Sequence, residues 1–163
     1  MPDPHYAQSP EELLSPEQLG HLSGLEFLRG IVEGRYPAPP IAETLNFRMI
    51  EAVEGRVVFE GLPQFAHYNP IGSVHGGWFG TLMDSCMACA VQSTLPAGSG
   101  YTTLEFKINI LRPAFTSTGP LRAIGESIHT GRRTATSQGR LEDAGGKIYA
   151  TGTTTCLVMQ LGA

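Results

Sequence analysis

Between Gly76 and Leu95 the chain carries one charged side chain, Asp84, in a segment otherwise apolar nearly all round: Trp78, Phe79, Leu82, Met83, Cys86, Met87, Cys89, Ala90 and Val91. A helix with no polar face has to be covered on all sides and belongs inside a core. The pattern predicts a helix starting at His75 or Gly76 and reaching about Leu95, where Pro96 and Gly98 stop it. Whatever else the chain forms must wrap around this helix.

The flanking segments change period. Leu45–Val53 and Arg56–Leu62 read as two strands around a Glu54-Gly55 hairpin turn, followed by a loop from Pro63 to Val74 with Asn69-Pro70 and Gly72. After the helix come four strand candidates, Tyr101–Leu111, Leu121–Thr130, Thr134–Asp143 and Lys147–Met159. Thr118-Gly119-Pro120, Gly131 and Gly145-Gly146 separate them, and such short links between long strands favour antiparallel neighbours. The expected core is ββ, one long helix, then a four-strand meander. That is an α+β fold in which about six antiparallel strands wrap around one central helix.

The first 44 residues read differently. Ser15 can cap a helix with Pro16 at its first position, Gln18 completing a capping box and Leu14 with Leu19 forming a hydrophobic staple. Leu19, Leu22, Leu25, Leu28, Ile31 and Val32 continue as one helical stripe, ended by Gly34 and by Pro37, Pro39 and Pro40. Residues 1–44 are therefore expected to be a helical extension with a Pro-rich linker, and residues 45–163 the domain proper.

With 163 residues, 41% of them hydrophobic and 16% charged, the chain can bury a real core and is too apolar for disorder. A net charge of −4 gives no general electrostatic case for nucleic-acid binding. No run is long and clean enough to span a bilayer, and Met1–Gln8 lacks the features of a signal peptide. Three cysteines, an odd number, argue for a reducing compartment, so a cytoplasmic location is expected. His5, His21, His67 and His129 show no metal-ligand spacing, and no pattern requires a metal or other cofactor. Cys86-x-x-Cys89 lies well inside an apolar helix and reads as two core residues.

Asp84 is the first candidate for chemistry. Burying a carboxylate is expensive, and at helical spacing it neighbours Gly80, Thr81, Met87 and Ala88, three of them small. A lone carboxylate beside vacant volume suits a working acid or base, and a structural bridge to backbone groups is the alternative. The second candidate is the helix start, Asn69-Pro70-Ile71-Gly72-Ser73-Val74-His75-Gly76-Gly77. Two glycines there leave first-turn N–H groups unshielded at the positive end of the helix dipole, suited to a carbonyl oxygen gaining negative charge. Asn69 and His75 add side-chain donors. His75 and Asp84 are nine residues apart, roughly 2.5 turns and about 13.5 Å, and so lie on opposite faces of one helix. If they cooperate, the site is shared across a two-fold dimer.

These residues resemble the hotdog-fold acyl-CoA thioesterases, in particular the phenylacetate-degradation (PaaI-like) subgroup of the 4-hydroxybenzoyl-CoA thioesterase superfamily. The likeness spans about residues 45–159. It rests on Asn69-Pro-x-Gly72-x-x-His75-Gly76-Gly77, on Asp84 within the helix, on the strand Thr102–Ala114, and on Gly131-Arg132-Arg133-Thr134. It implies a hotdog homodimer, often paired into a homotetramer, and acyl-CoA as substrate. It implies that Asp84 acts as base or nucleophile, that the Gly76 N–H with Gly77 beside it holds the carbonyl oxygen, and that Asn69 and His75 orient the thioester. Thr103, with Thr102 adjacent, falls at a Ser/Thr position that places the water. Arg132 and Arg133 would meet the coenzyme A phosphates, or simply form a solvated turn. Two competing functions are a non-catalytic acyl-CoA-binding module, which has no reason to bury Asp84, and a dehydratase acting on acyl-carrier-protein thioesters. The dehydratases resemble a His–Glu pairing for which this helix has no Glu.

Overall fold

The computed structural model describes residues 4–161. Its centre is helix α4, Gly76–Gln92, with Trp78, Phe79, Leu82, Met83, Cys86, Met87 and Val91 buried. Six antiparallel strands wrap around it: β1 (Phe47–Val53), β2 (Arg56–Gly61), β3 (Ser99–Ile110), β4 (Leu121–Thr130), β5 (Thr134–Glu142) and β6 (Ile148–Gln160). This is the expected hotdog architecture, with every predicted strand present within about two residues.

The sheet order is β1-β2-β4-β5-β6-β3. It corrects the expected four-strand meander. Of those four strands only β4, β5 and β6 are consecutive neighbours, while β3 pairs along its length with β6 and forms an edge. The link after β3 contains Pro113 and a short 3-10 turn at Thr116–Thr118 and carries the chain across the sheet to β2, beside which β4 inserts. Hydrophobic periodicity specifies that a strand exists, not which strand lies next to it.

A row of glycines seats the helix on the sheet. Gly125, Gly139 and Gly152 are register partners across β4, β5 and β6. A Cβ on Gly125 would come within 2.1 Å of the Cys86 carbonyl oxygen, one on Gly139 within 2.8 Å of Met87 Cγ, and one on Gly152 within 3.2 Å of Met83 Cε. The stripe removes side chains so that backbone meets helix directly. Beside the row, two residues before Gly139 on β5, the fully buried Ser137 donates its hydroxyl to the Met87 carbonyl at 2.7 Å.

The N-terminal segment forms two helices where the apolar stripe predicts one: α1 (Pro16–Gly20) and α2 (Gly24–Val32). The Ser15–Gln18 capping box is present, but Ser23 and Glu26 make a second one, and a fresh N-cap restarts the helix. Gly34 takes φ +73 beyond the C-cap, as a helix-ending glycine does. A third short helix, α3 (Pro40–Thr44), uses Pro40 at its first position, so the prolines that end one helix start another. The segment shares the main core through Leu28 and Ala42. It is fastened to both ends of α4: the Trp78 indole donates to the Leu45 carbonyl at 2.8 Å, and the Gly24 N–H to the Leu95 carbonyl at 3.0 Å.

Candidate active site

The singled-out residues fall into three groups spaced along α4. The first is the loop entering it. Asn69 folds its amide back into this loop: Oδ1 accepts the N–H groups of Ile71 (3.1 Å) and Ser73 (3.2 Å), and Nδ2 donates to Ser73 Oγ (2.9 Å). Gly72 supplies the positive φ of +87 that closes the turn. The His75 backbone N–H donates to the His67 carbonyl at 2.8 Å, and the Val74 N–H to the Ala114 carbonyl at 2.9 Å. The helix therefore begins at a fixed place.

His75 is the N-cap, and its Nδ1 accepts the Gly77 N–H at 2.8 Å. This changes the expected picture of two open glycine amides. Gly77 is occupied by the histidine, while the Gly76 N–H has no protein partner among the described residues. An accepting Nδ1 assigns the neutral tautomer's proton to Nε2, a donor on an exposed side chain. The loop is backed by His67, buried and stacked on Trp78 with ring centroids 5.8 Å apart. Its own Nδ1 accepts the Gln64 N–H at 3.1 Å.

The second group surrounds Asp84, two turns further on and about 12 Å from Gly76 along the axis. Its carboxylate accepts one hydrogen bond, from the Thr103 hydroxyl of β3 at 3.1 Å. Thr102 is exposed, pointing away. The β3–β6 register shifts between Thr103 and Glu105, and Thr154 of β6 donates to the Glu105 carbonyl at 2.6 Å. This bulge, next to Thr103, is the kind of irregularity that re-aims a side chain. Asp84 has no cationic partner among the described residues. Desolvation pushes its pKa above the ordinary aspartate value, and the Thr103 hydrogen bond partly offsets this.

Sequence reasoning misses the rest of this environment. Tyr101, Cys89 and Cys156 lie around the carboxylate, and its charge adds to the desolvation that already raises their own pKa values, Cys89 to about 12. These groups stay protonated near neutral pH, so Asp84 is the one acidic group there able to exchange a proton in the ordinary range. Two of them come from strands distant in sequence, and no local pattern announces them.

The third group, Arg132 and Arg133, sits exposed on the β4–β5 hairpin. The Thr94 and Thr130 hydroxyls, 2.7 Å apart, join that hairpin to the C-terminal end of α4, opposite Gly76. One chain therefore holds Asp84 with Thr103, and holds Asn69, His75 and Gly76 together, but does not bring the two sets to one point.

A family model described as the thioesterase superfamily matches residues 71–150. Among solved structures, a phenylacetic acid degradation-related protein from Ralstonia eutropha JMP134 is 32% identical, with 80% of this chain and 98% of that one covered at a TM-score of 0.72. The PaaI protein of the Escherichia coli phenylacetic acid degradation operon is 25% identical over 73% of this chain and 83% of its own, with a TM-score of 0.66. A mutant of phenylacetic acid degradation protein PaaI from Thermus thermophilus is 27% identical over 72% and 97%, with a TM-score of 0.65. No curated protein matches the chain in sequence. Among the described residues, no helix is long and apolar enough to cross a membrane.

Proposed function

The chain belongs to the thioesterase superfamily, and on that premise we propose that it hydrolyses an acyl-CoA thioester to the free acid and coenzyme A, with Asp84 as general base or nucleophile. The carrying observation is the carboxylate itself: desolvated, without a cation, and held by a single hydroxyl on a helix otherwise devoid of charge. Such a group is expensive to keep for structure alone and suits proton transfer. A non-catalytic binder or a dehydratase has no feature here that favours it over hydrolysis.

In this mechanism the thioester carbonyl oxygen sits at the Gly76 N–H, which the helix dipole makes a strong donor to developing negative charge. His75 Nε2–H is a second donor. Asn69 acts by fixing the loop that carries both. Asp84, oriented by Thr103, takes the proton of an attacking water, or attacks the carbonyl carbon to give an anhydride that water then opens. Either way the C–S bond breaks and coenzyme A leaves as thiolate. Arg132 and Arg133 pair with coenzyme A phosphates.

The two halves of this machinery meet only if two chains associate. The edge of β3 offers the surface: twelve residues long, bonded on one side to β6, and exposing Leu104, Phe106 and Ile110. An open, apolar edge of that length is a site for strand pairing. A two-fold axis there sets the Asp84 of one chain toward the Gly76 of the other and makes two equivalent sites per dimer.

Asp84→Asn tests the mechanism, because the amide keeps the shape but is neither base nor nucleophile. Hydrolysis followed by free-thiol release across aryl, short and long acyl-CoA substrates should fall by about 10²–10⁴-fold. Near-wild-type turnover in a folded Asp84→Asn protein rules the mechanism out.

A further inference from the structure

The N-terminal segment does more than cover the sheet. Between it and α4 lies an apolar cavity of about 220 Å³. Phe27 and Ile31 of α2 and Met49 and Phe59 of β1 and β2 form its walls, and Ser85 and Cys89 of α4 face into it. We propose that this cavity receives the acyl group of the thioester, and that the group is medium-sized and uncharged: about eight carbons of chain, or a ring with one or two further carbons. The proposal rests on thioester hydrolysis at Asp84.

Ser85 directly follows Asp84, and Ser85, Cys89 and Gln92 form an i, i+4, i+7 ridge running toward the C-terminal end of α4. The ridge extends about 10 Å. Cys89 joins the two places, for it lines the cavity and lies near enough to Asp84 to feel its charge. An acyl group whose carbonyl carbon lies at Asp84 can run along this ridge.

No lining side chain carries a charge, so an acyl group ending in a carboxylate or an amine has no partner there. An apolar cavity of about 150 Å³ holds benzene, so 220 Å³ leaves room for a ring and a short spacer, or an equivalent chain. An apolar hollow of this size, left unfilled, forfeits contacts. Here it lies behind a wall bolted to both ends of α4, where Gly24 sits so close over Gln92 that a Cβ would fall 1.8 Å from its carbonyl oxygen. The wall is built in place around the space rather than draped over it.

The test narrows the cavity from opposite sides, with Ile31→Trp on α2 and Ser85→Leu on α4, so that one misfolded variant leaves the other. Two readouts are taken: hydrolysis of acetyl-, butyryl-, octanoyl-, dodecanoyl- and phenylacetyl-CoA by thiol release, and calorimetric binding of a non-hydrolysable octanoyl-CoA thioether. In the wild type, kcat/KM should climb about fourfold per added methylene until the cavity is full. It should level or fall by dodecanoyl. Each variant should lower the octanoyl-to-acetyl ratio at least about tenfold and weaken thioether binding. Turnover with a flat chain-length profile, or with the ratio unmoved in both folded variants, overturns the cavity proposal and leaves hydrolysis standing. Thioether binding weakened by both variants without turnover of any thioester upholds the cavity and sinks hydrolysis. Neither binding nor turnover sinks both.

Discussion

Helix α4 has two faces built on opposite terms. The inner face meets Gly125, Gly139 and Gly152, whose missing side chains let the helix backbone reach the sheet at Gly125 and leave room for Met87 and Met83 at the other two. The outer face carries Gly77, Thr81, Asp84 and Ser85, all at least partly open, and its one carboxylate has a single hydrogen-bond partner. Close packing leaves the first face no alternative arrangement. The second face keeps room and an under-stabilised charge, the condition of a site that works on something brought to it. A substitution on the inner face should therefore be felt as stability and one on the outer face as activity, with stability moving the other way.

The largest effect should come from adding one methyl to the inner face. Gly125→Ala places its Cβ against the Cys86 carbonyl, a backbone atom that cannot swing aside. Overpacking against backbone should cost about 3 kcal/mol or more, a large share of the total for one domain. Denaturant unfolding should show the midpoint collapse, or the protein should fail to accumulate folded. A Gly125→Ala protein with wild-type stability would mean that the two faces do not differ as described.

Next in size is the recovery of activity by mixing defects. Asp84→Asn and an Asn69→Ala/His75→Ala double variant should each be inactive. In the proposed dimer, subunit exchange leaves about half the dimers mixed, each with one site carrying both lesions and one carrying none, so activity should return to roughly a quarter of wild type. If mass spectrometry verifies exchange and nothing returns, the outer-face carboxylate and the helix start do not serve one site across the dimer.

A smaller effect sharpens the stability side. Burial raises the Asp84 pKa, so the folded protein holds this proton more tightly than the unfolded chain does. The stability linked to it is present below the unfolded carboxyl pKa of about 4 and is lost as pH rises through the higher folded value. Asp84→Asn removes that loss and should be more stable than wild type at pH 7. The gain should be small, at most about 1 kcal/mol, because the site is partly exposed. The two proteins should converge as the pH falls below about 4. Thermal melts across that range check it, and a variant less stable at pH 7 would make Asp84 a structural residue.

The same contrast governs what could be read from the sequence. Helix α4, its start at His75–Gly76 and the solitary Asp84 were all legible, because a charge interrupting an apolar helix is a local anomaly. Ser15 with Gln18 announces α1, and Ser23 with Glu26 announces α2 in the same notation, but the apolar stripe from Leu19 to Val32 runs across the break and hides it. The placement of β3 at the far edge was not legible, since strand order is set by how the sheet closes around α4 and not by any period within β3. Tyr101 and Cys156 beside Asp84 follow from that placement, and so escaped with it. Asn69 is the intermediate case: its importance shows in the motif, but its two ends turn out to be committed to the loop, so it positions the helix start.

The smallest and most specific effect concerns Thr103, the one bond between the outer face and the sheet at Asp84. That bond lowers the Asp84 pKa against the larger desolvation that raises it. Thr103→Val keeps the shape and the β-branch while deleting the hydroxyl, so desolvation acts unopposed and the pKa rises further. If Asp84 works ionised, activity is lost as pH falls through its pKa, and a higher pKa moves that acid limb to higher pH. The kcat profile of Thr103→Val should therefore shift toward alkaline pH, with the plateau above it reduced no more than about tenfold, below the range expected for losing the base itself. A purely structural threonine would lower the plateau without moving the limb. A limb that moves toward acid would mean that the hydroxyl favours the protonated carboxyl, and the assignment of Asp84 as an ionised base would fall with it.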